Sequence, residues 1–243
     1  MQAWGLTDPG MVRSQNQDDF AIVKLSRDQL LVLVCDGMGG ARSGNIASKM
    51  AVEVFTEEVR RTVRSNMKQE RIDQMLTDSV ELANKAVYEQ SKLSEEYEGM
   101  GTTLVAAFFQ KDQVTVANVG DSRAYLFNQG GVISITTDHS LVELMVQRGE
   151  LSRESAKNHP GKNLITRAVG TESEVECDLY HHGLSKGDSV LLCSDGLSNT
   201  MSDQEMLFEV VHGVNKSDCC QRLMKIANYR GAPDNVTVAL VCV

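Results

Sequence analysis

Positive charge, proline, aromatic rings and long apolar runs are all scarce in this chain of 243 residues. Each scarcity excludes something. Lys and Arg number 24 against 33 Asp and Glu, a formal charge of −9, which argues against binding nucleic acid or an anionic membrane surface. An acidic chain can still meet a phosphorylated substrate through a metal ion. The longest tight apolar run, residues 30–35, is far short of the roughly 18 residues of a transmembrane helix. The first residues, Met1-Gln2-Ala3-Trp4-Gly5, have neither a basic nor an apolar leader segment, so a cytoplasmic protein is expected. The six cysteines (35, 177, 193, 219, 220, 242) contain no Cys-x-x-Cys and no zinc-finger spacing. They read as reduced thiols that behave as small hydrophobes. Only 3 prolines and no low-complexity stretch leave no linker, so one large domain is expected.

With 42% hydrophobic residues the chain has enough apolar surface to bury roughly 70–75% of what its unfolded form exposes. Strands are expected at 3–7, 20–25 and 30–35. Two amphipathic helices follow, one carrying Ala47, Ala51, Phe55 and Val59, the next Ile72, Leu76, Val80, Ala83 and Val87. Strands return at 103–109, 113–119, 124–127 and 132–136, then a polar helical segment at 140–158. Strands at 176–182 and 188–193, helices at 202–212 and 217–229, and a strand at 236–243 complete the chain. Grouped strands and grouped helices do not make a doubly wound parallel sheet. They predict an α+β domain of two mainly antiparallel sheets facing each other, with helices outside.

Acidic residues gather at strand ends. Cys35-Asp36-Gly37-Met38-Gly39-Gly40 follows an apolar strand, and Cys193-Ser194-Asp195-Gly196 repeats the device. Gly120-Asp121 is a third case, Asp234-Asn235 precedes the last strand, and Asp18 precedes the second. Hard cations such as Mg²⁺ and Mn²⁺ take oxygen ligands, and a glycine beside the carboxylate lets the backbone approach and offer its carbonyl. Asp-Gly pairs are also ordinary turns. By themselves the residues indicate a carboxylate-built metal site suited to phosphoryl chemistry, with turns as the alternative.

The same stretches carry a resemblance. Arg-x-x-Asn-Gln-Asp at 13–18, Cys-Asp-Gly-Met-Gly-Gly at 35–40, Gly-Thr-Thr at 101–103 and Val-Gly-Asp-Ser-Arg at 119–123 occur in order. Asp-His-Ser at 138–140, Ser-Asp-Gly-Leu at 194–197 and Asp-Asn-Val-Thr at 234–237 follow. Together they resemble the metal-dependent PP2C (PPM) serine/threonine protein phosphatases, in particular the bacterial single-domain branch. The resemblance implies a four-layer αββα sandwich: two antiparallel sheets flanked by helix pairs, with a flap at about 141–170. It implies that Asp36 bridges two Mn²⁺ or Mg²⁺ ions, that the Gly37 carbonyl binds one, and that Asp195 and Asp234 hold the other. Asp18 lies at the first ion, Asp121 with Asp195 at a third, weaker one, and Arg13 grips the substrate phosphate. Asn235 orients Asp234. Asp36 and Asp195 carry the catalytic assignment, with a metal-bridging hydroxide as nucleophile. Phosphorylated proteins, a bacterial serine/threonine kinase and its substrates, are the implied partners of a monomer that inserts into no membrane.

Two residues depart from the pattern of many eukaryotic members: Gln17 in place of Glu, and Met38, which cannot donate a proton, in place of His. His139 is then a candidate proton donor, against a purely structural role in shaping the start of the flap. Strand alternation places Cys193 on the same side as Asp195 and Cys35 away from Asp36. His181-His182 reads as a strand end, and Gly101 and Thr102 as packing near the site. A regulatory module without catalysis and a phosphoesterase for small molecules or nucleic acids are the competing functions.

Overall fold

The computed structural model describes residues 1–39, 43–156, 158–213 and 215–243. The elements in chain order are β1 (Gln2–Asp8), β2 (Asp18–Lys24), β3 (Gln29–Met38), α1 (Gly44–Thr62), α2 (Gln69–Ser91), β4 (Gly101–Thr102), β5 (Leu104–Gln110) and β6 (Gln113–Val119). They continue as β7 (Arg123–Asn128), β8 (Gly131–Ser134), α3 (Leu141–Gln147), α4 (Arg153–Ala156), β9 (Asp178–Gly183) and β10 (Ser189–Cys193). The chain closes with α5 (Asp195–Ser198), α6 (Asp203–His212), α7 (Cys219–Tyr229) and β11 (Val236–Cys242).

Two sheets form, one ordered β1-β11-β10-β7-β8, the other β2-β3-β5-β6-β9 with β4 added to β3. Every pairing is antiparallel. Side-chain alternation along each strand sorts the apolar residues into three cores. Leu31, Leu33 and Cys35 of β3 pack with Ala47, Phe55 and Leu76 of α1 and α2. Leu30, Val32 and Val34 pack between the sheets with Val190, Leu192 and Val241. Leu191 and Cys193 of β10 pack outward with Leu223 and Ala227 of α7. The layers are therefore helix, sheet, sheet, helix, as expected. The helices form on apolar stripes and on end chemistry: Arg60 and Arg61 close α1 against its dipole, and Ser202 with Glu205 makes a capping box at the start of α6.

Some expected boundaries move. Asp18 and Asp36 lie within strands, not outside them. The segment expected as one helix at 140–158 holds two short ones, α3 and α4. Cys193 is the last residue of β10, and Asp195 opens the helical turn α5. The alternation that would have put Cys193 beside the site stops before Asp195. Cys193 points into the helix-side core, where burial pushes its thiol up to about 12.

Candidate metal centre

The gap between the sheets is apolar along most of its length and becomes polar at one end. On β3, Val32 and Val34 face the gap, so Asp36 does too; on β2, Phe20 and Ile22 face it, and so does Asp18. Asp18 and Asp36 are partners in the antiparallel ladder. The same parity brings Thr237 of β11, in line with Ala239 and Val241, to this end from the other sheet.

Asp36 is held by its backbone. Its N–H donates to Thr103 Oγ1 at 2.9 Å, and its carbonyl accepts from Thr103 N and Thr102 Oγ1, each at 2.9 Å. Thr103 Oγ1 also meets Ser122 Oγ at 2.7 Å, joining β3 to the turn that carries Asp121. Thr102 is thus a direct support of Asp36 and not only packing. The Asp36 carboxyl neighbours those of Asp18 and Asp195. Gly37 has no room for a side chain: a Cβ would lie 2.1 Å from the Gly44 carbonyl oxygen and 2.6 Å from that of Gln17.

Asp18 is 5% exposed. Its Oδ2 accepts from Ser194 Oγ at 2.8 Å and Thr237 Oγ1 at 2.7 Å, while Oδ1 is buried with no partner. Asp195 repeats this asymmetry: Oδ2 accepts from Asn199 Nδ2 at 3.0 Å and Oδ1 is buried and unpartnered. A Cβ on Gly196 would stand 2.0 Å from the Asn235 carbonyl oxygen, so that glycine lets Asp195 approach the Asp234 loop. Asp234 Oδ2 accepts from Arg13 Nη2 at 2.8 Å.

Asn235 does not orient Asp234 with its side chain. Its backbone N–H donates to Asp234 Oδ1 at 2.9 Å. Its side chain accepts from Gln17 N at 2.8 Å and donates to the carbonyls of Pro9 and Gln15 at 3.0 and 2.9 Å. It fastens the loop that carries Arg13. His139 is a bracket of the same kind. Gly120 N donates to His139 Nδ1, His139 N donates to the Gly120 carbonyl, both at 3.0 Å, and Nε2 lies 3.3 Å from Asp178 Oδ2. With Nδ1 accepting, the ring proton sits on Nε2, facing Asp178. Burial lowers the His139 pKa.

Five carboxyls share this end of the sandwich, and burial and like charge raise four of them, Asp18, Asp36, Asp121 and Asp195. Burial lifts Asp18 to about 7, and the neighbouring Asp195 adds to it. Burial and Asp195 lift Asp121 to about 7, and burial and Asp234 lift Asp195 to about 6. Asp36 goes well above the usual carboxylate range through burial, then through Asp18, Asp195, Asp121 and Asp234. Such a cluster is stressed by like charge and relieved by a cation. The two unpartnered oxygens, on Asp18 and Asp195, fit a hard divalent ion, which is an all-oxygen binder. Among the described residues, no three Asp, Glu, His or Cys side chains close on one point as a ready cage. A hard divalent ion held here would take a few of these carboxylates, with other oxygen donors completing its shell.

The hydroxyls of Thr103, Ser122, Ser194 and Thr237 were not singled out from sequence. A readable signal existed: Thr237 interrupts a Val-rich strand at the parity of the inter-sheet face.

A buried oxygen-only carboxylate cluster at the end of a four-layer sandwich, with an arginine at its mouth, is the layout of a metal-dependent phosphohydrolase. The model of the family described as Protein phosphatase 2C matches residues 12–225. A serine/threonine phosphatase from Listeria welshimeri is 39% identical over 241 residues, covering 99% of this chain and 95% of its own. A solved S. agalactiae serine/threonine phosphatase aligns with a TM-score of 0.94 at 39% identity, covering 100% and 99% of the two chains. The catalytic domain of the phosphatase PstP, solved with two manganese ions, aligns at a TM-score of 0.83 and 31% identity, over 98% and 96%. The chain belongs to the protein phosphatase 2C family: it is a metal-dependent serine/threonine phosphatase.

Proposed function

We propose that the chain removes phosphate from phosphoserine and phosphothreonine of proteins at the Asp18–Asp36–Asp195 end of the sandwich. The observation that carries this is the pair of buried, unpartnered carboxylate oxygens, Asp18 Oδ1 and Asp195 Oδ1, aimed into one acidic cluster. Asp36, between Asp18 and Asp195, would serve two ions at once, with the Gly37 carbonyl on one and Asp195 and Asp234 on the other. Asp121, with Asp195, would hold a third, weaker one. Mn²⁺ or Mg²⁺ suits this donor set. When bound, such ions supply a water activated at neutral pH and neutralise phosphoryl oxygens.

The chain's own groups do the rest. Asp18, clamped by Ser194 and Thr237, presents one free oxygen in a fixed direction. Arg13, half exposed beside Asp234, binds the phosphate and orients it for in-line displacement. Met38 carries no proton, and His139 directs its proton to Asp178, so the leaving serine or threonine oxygen takes its proton from water. The segment 141–170, with α3 and α4, forms a flap beside the site. Proteins phosphorylated by a serine/threonine kinase are the substrates of a monomeric, cytoplasmic enzyme. Among the described residues no helix is long and apolar enough to cross a membrane.

Phosphate release from a phosphothreonine peptide with Mn²⁺, Mg²⁺ or EDTA tests the reading. Activity with either ion and none in EDTA is expected. Unaltered turnover in EDTA would refute it.

A further inference from the structure

Next to the carboxylate cluster a cleft of about 910 Å³ runs between the flap and the start of α6. That volume is at the upper end of the ~300–1,000 Å³ of ligand pockets. Asp121 and Asp195 line it at the metal centre, so it opens directly onto the reacting position. Its floor is β7 and β8, one wall is the flap, and the other is α5 with the first turn of α6. The flap wall is rooted firmly. Leu141 N donates to the Leu164 carbonyl at 2.8 Å and Thr166 N to that of His139 at 2.8 Å, which zips the two ends of the flap together. His139 in turn brackets Gly120, the neighbour of Asp121. Eleven of the 23 residues lining it carry a hydroxyl or an amide, groups that can pair with a peptide backbone.

Apart from Asp121 and Asp195, the charges of the cleft divide into two kinds. Arg123 binds Asp138 through two contacts of 2.8 and 2.6 Å, and Arg153 binds Glu143 at 3.2 and 3.3 Å. These are satisfied within the protein. Lys162 on the flap and Asp203 at the start of α6 are exposed, line the cleft, and make no ion pair among the described residues. Two unpaired charges of opposite sign therefore stand on the two walls of one cleft.

We infer that this cleft receives the polypeptide flanking the phosphorylated residue, and that Lys162 and Asp203 select it by charge, Lys162 reading an acidic side chain and Asp203 a basic one. The inference rests on the phosphatase reading above and adds to it the site that distinguishes one phosphoprotein from another. A small aryl phosphate carries no flanking chain to lay in the cleft, whereas a phosphopeptide does.

The experiment uses the full chain with Mn²⁺, its Lys162→Glu and Asp203→Lys variants, p-nitrophenyl phosphate, and phosphothreonine peptides flanked on both sides by either Glu or Lys. Both substitutions are at exposed positions outside the metal ligands, and thermal melting verifies that the variants fold. In Lys162→Glu, kcat/KM for the Glu peptide should fall relative to the Lys peptide by about threefold to tenfold, the scale of exposed charge pairs. In Asp203→Lys the ratio should move the opposite way. Turnover of p-nitrophenyl phosphate should stay within about twofold of wild type, against which the peptide effects are read. An unchanged peptide ratio in both variants overturns the inference, and so does a loss that p-nitrophenyl phosphate shares equally. If wild type cleaves p-nitrophenyl phosphate but no phosphopeptide, the phosphoprotein reading itself fails. Peptide cleavage with an unchanged ratio removes only the role of the cleft.

Discussion

Asp18 and Asp36 face each other across the β2–β3 ladder, two carboxylates on directly paired residues at the polar end of the inter-sheet gap. Like charges opposite one another in a ladder are destabilising. Here the arrangement is kept where hydroxyls from the other sheet steady one carboxylate and threonines of Gly-Thr-Thr steady the backbone of the other.

The first consequence is an inverted pH dependence without metal. Asp18 and Asp121 sit near 7 and Asp195 near 6, above the ~3.9 of an unfolded aspartate. A raised carboxyl binds protons better when folded, so its stabilising contribution is complete below about pH 4 and disappears as pH rises through 6–7. Glu205, held down to about 2 first by Arg230, acts in the opposite direction below this window. His139, lowered by burial, acts in that direction inside it, one group against the four raised carboxyls of the site. In EDTA the melting temperature should therefore fall between pH 5 and pH 8. Added Mn²⁺ should remove most of that fall at pH 8. A metal-free melting temperature that rises over this range would contradict the burial argument.

Asp36→Asn removes one ionisable carboxyl from the same cluster. At pH 7.5 in EDTA it should melt above wild type, by roughly 2–4 °C for each kcal/mol of repulsion relieved in a chain of this size. The variant should gain much less from Mn²⁺, and its turnover should fall by several orders of magnitude. Retention of a tenth of wild-type activity, a loss of only ~1.4 kcal/mol, would remove Asp36 from the metal site.

Thr237→Val tests the support under Asp18. The substitution keeps the shape of the strand residue and deletes the 2.7 Å hydroxyl contact to Oδ2. Outer partners of metal ligands typically contribute about 10- to 100-fold in affinity. Mn²⁺ binding followed by calorimetry should weaken within that range, with Asp36 and Asp195 untouched. An unaltered Mn²⁺ affinity would mean that Ser194 alone suffices to hold Asp18.

What could be read from sequence follows a physical division. The sandwich and the acidic positions were legible because apolar periodicity and Asp-Gly steps are local patterns. Strand ends are less so: the sequence pattern stops short of Asp18 and Asp36, since a charged residue usually marks a boundary, and only the register between strands shows that both lie in β2 and β3. Alternation puts Cys193 beside the site only if it continues to Asp195, and it ends with β10 at Cys193. The support of Asp36 by Thr102 and Thr103, and of the Arg13 loop by Asn235, are long-range contacts without local spacing.

Arg13 gives the last prediction, because its two roles separate in different measurements. Its ion pair with Asp234 joins side chains that are 55% and 35% exposed, a pair worth little to folding. Arg13→Ala should therefore leave the melting temperature nearly unchanged. Its loop stays fastened by Asn235, so the carboxylates do not move and Mn²⁺ affinity should remain close to wild type. The loss appears in catalysis: KM for a phosphothreonine peptide should rise, with a fall in kcat as well if the guanidinium grips the transition state more tightly than the substrate. Arg13→Lys discriminates further, since it restores the charge without the planar fork that matches two phosphate oxygens, and should recover only part of the loss. Full recovery in Arg13→Lys would reduce the residue to a point charge. A wild-type KM in Arg13→Ala would exclude it from phosphate binding and leave its pairing with Asp234 as its whole function.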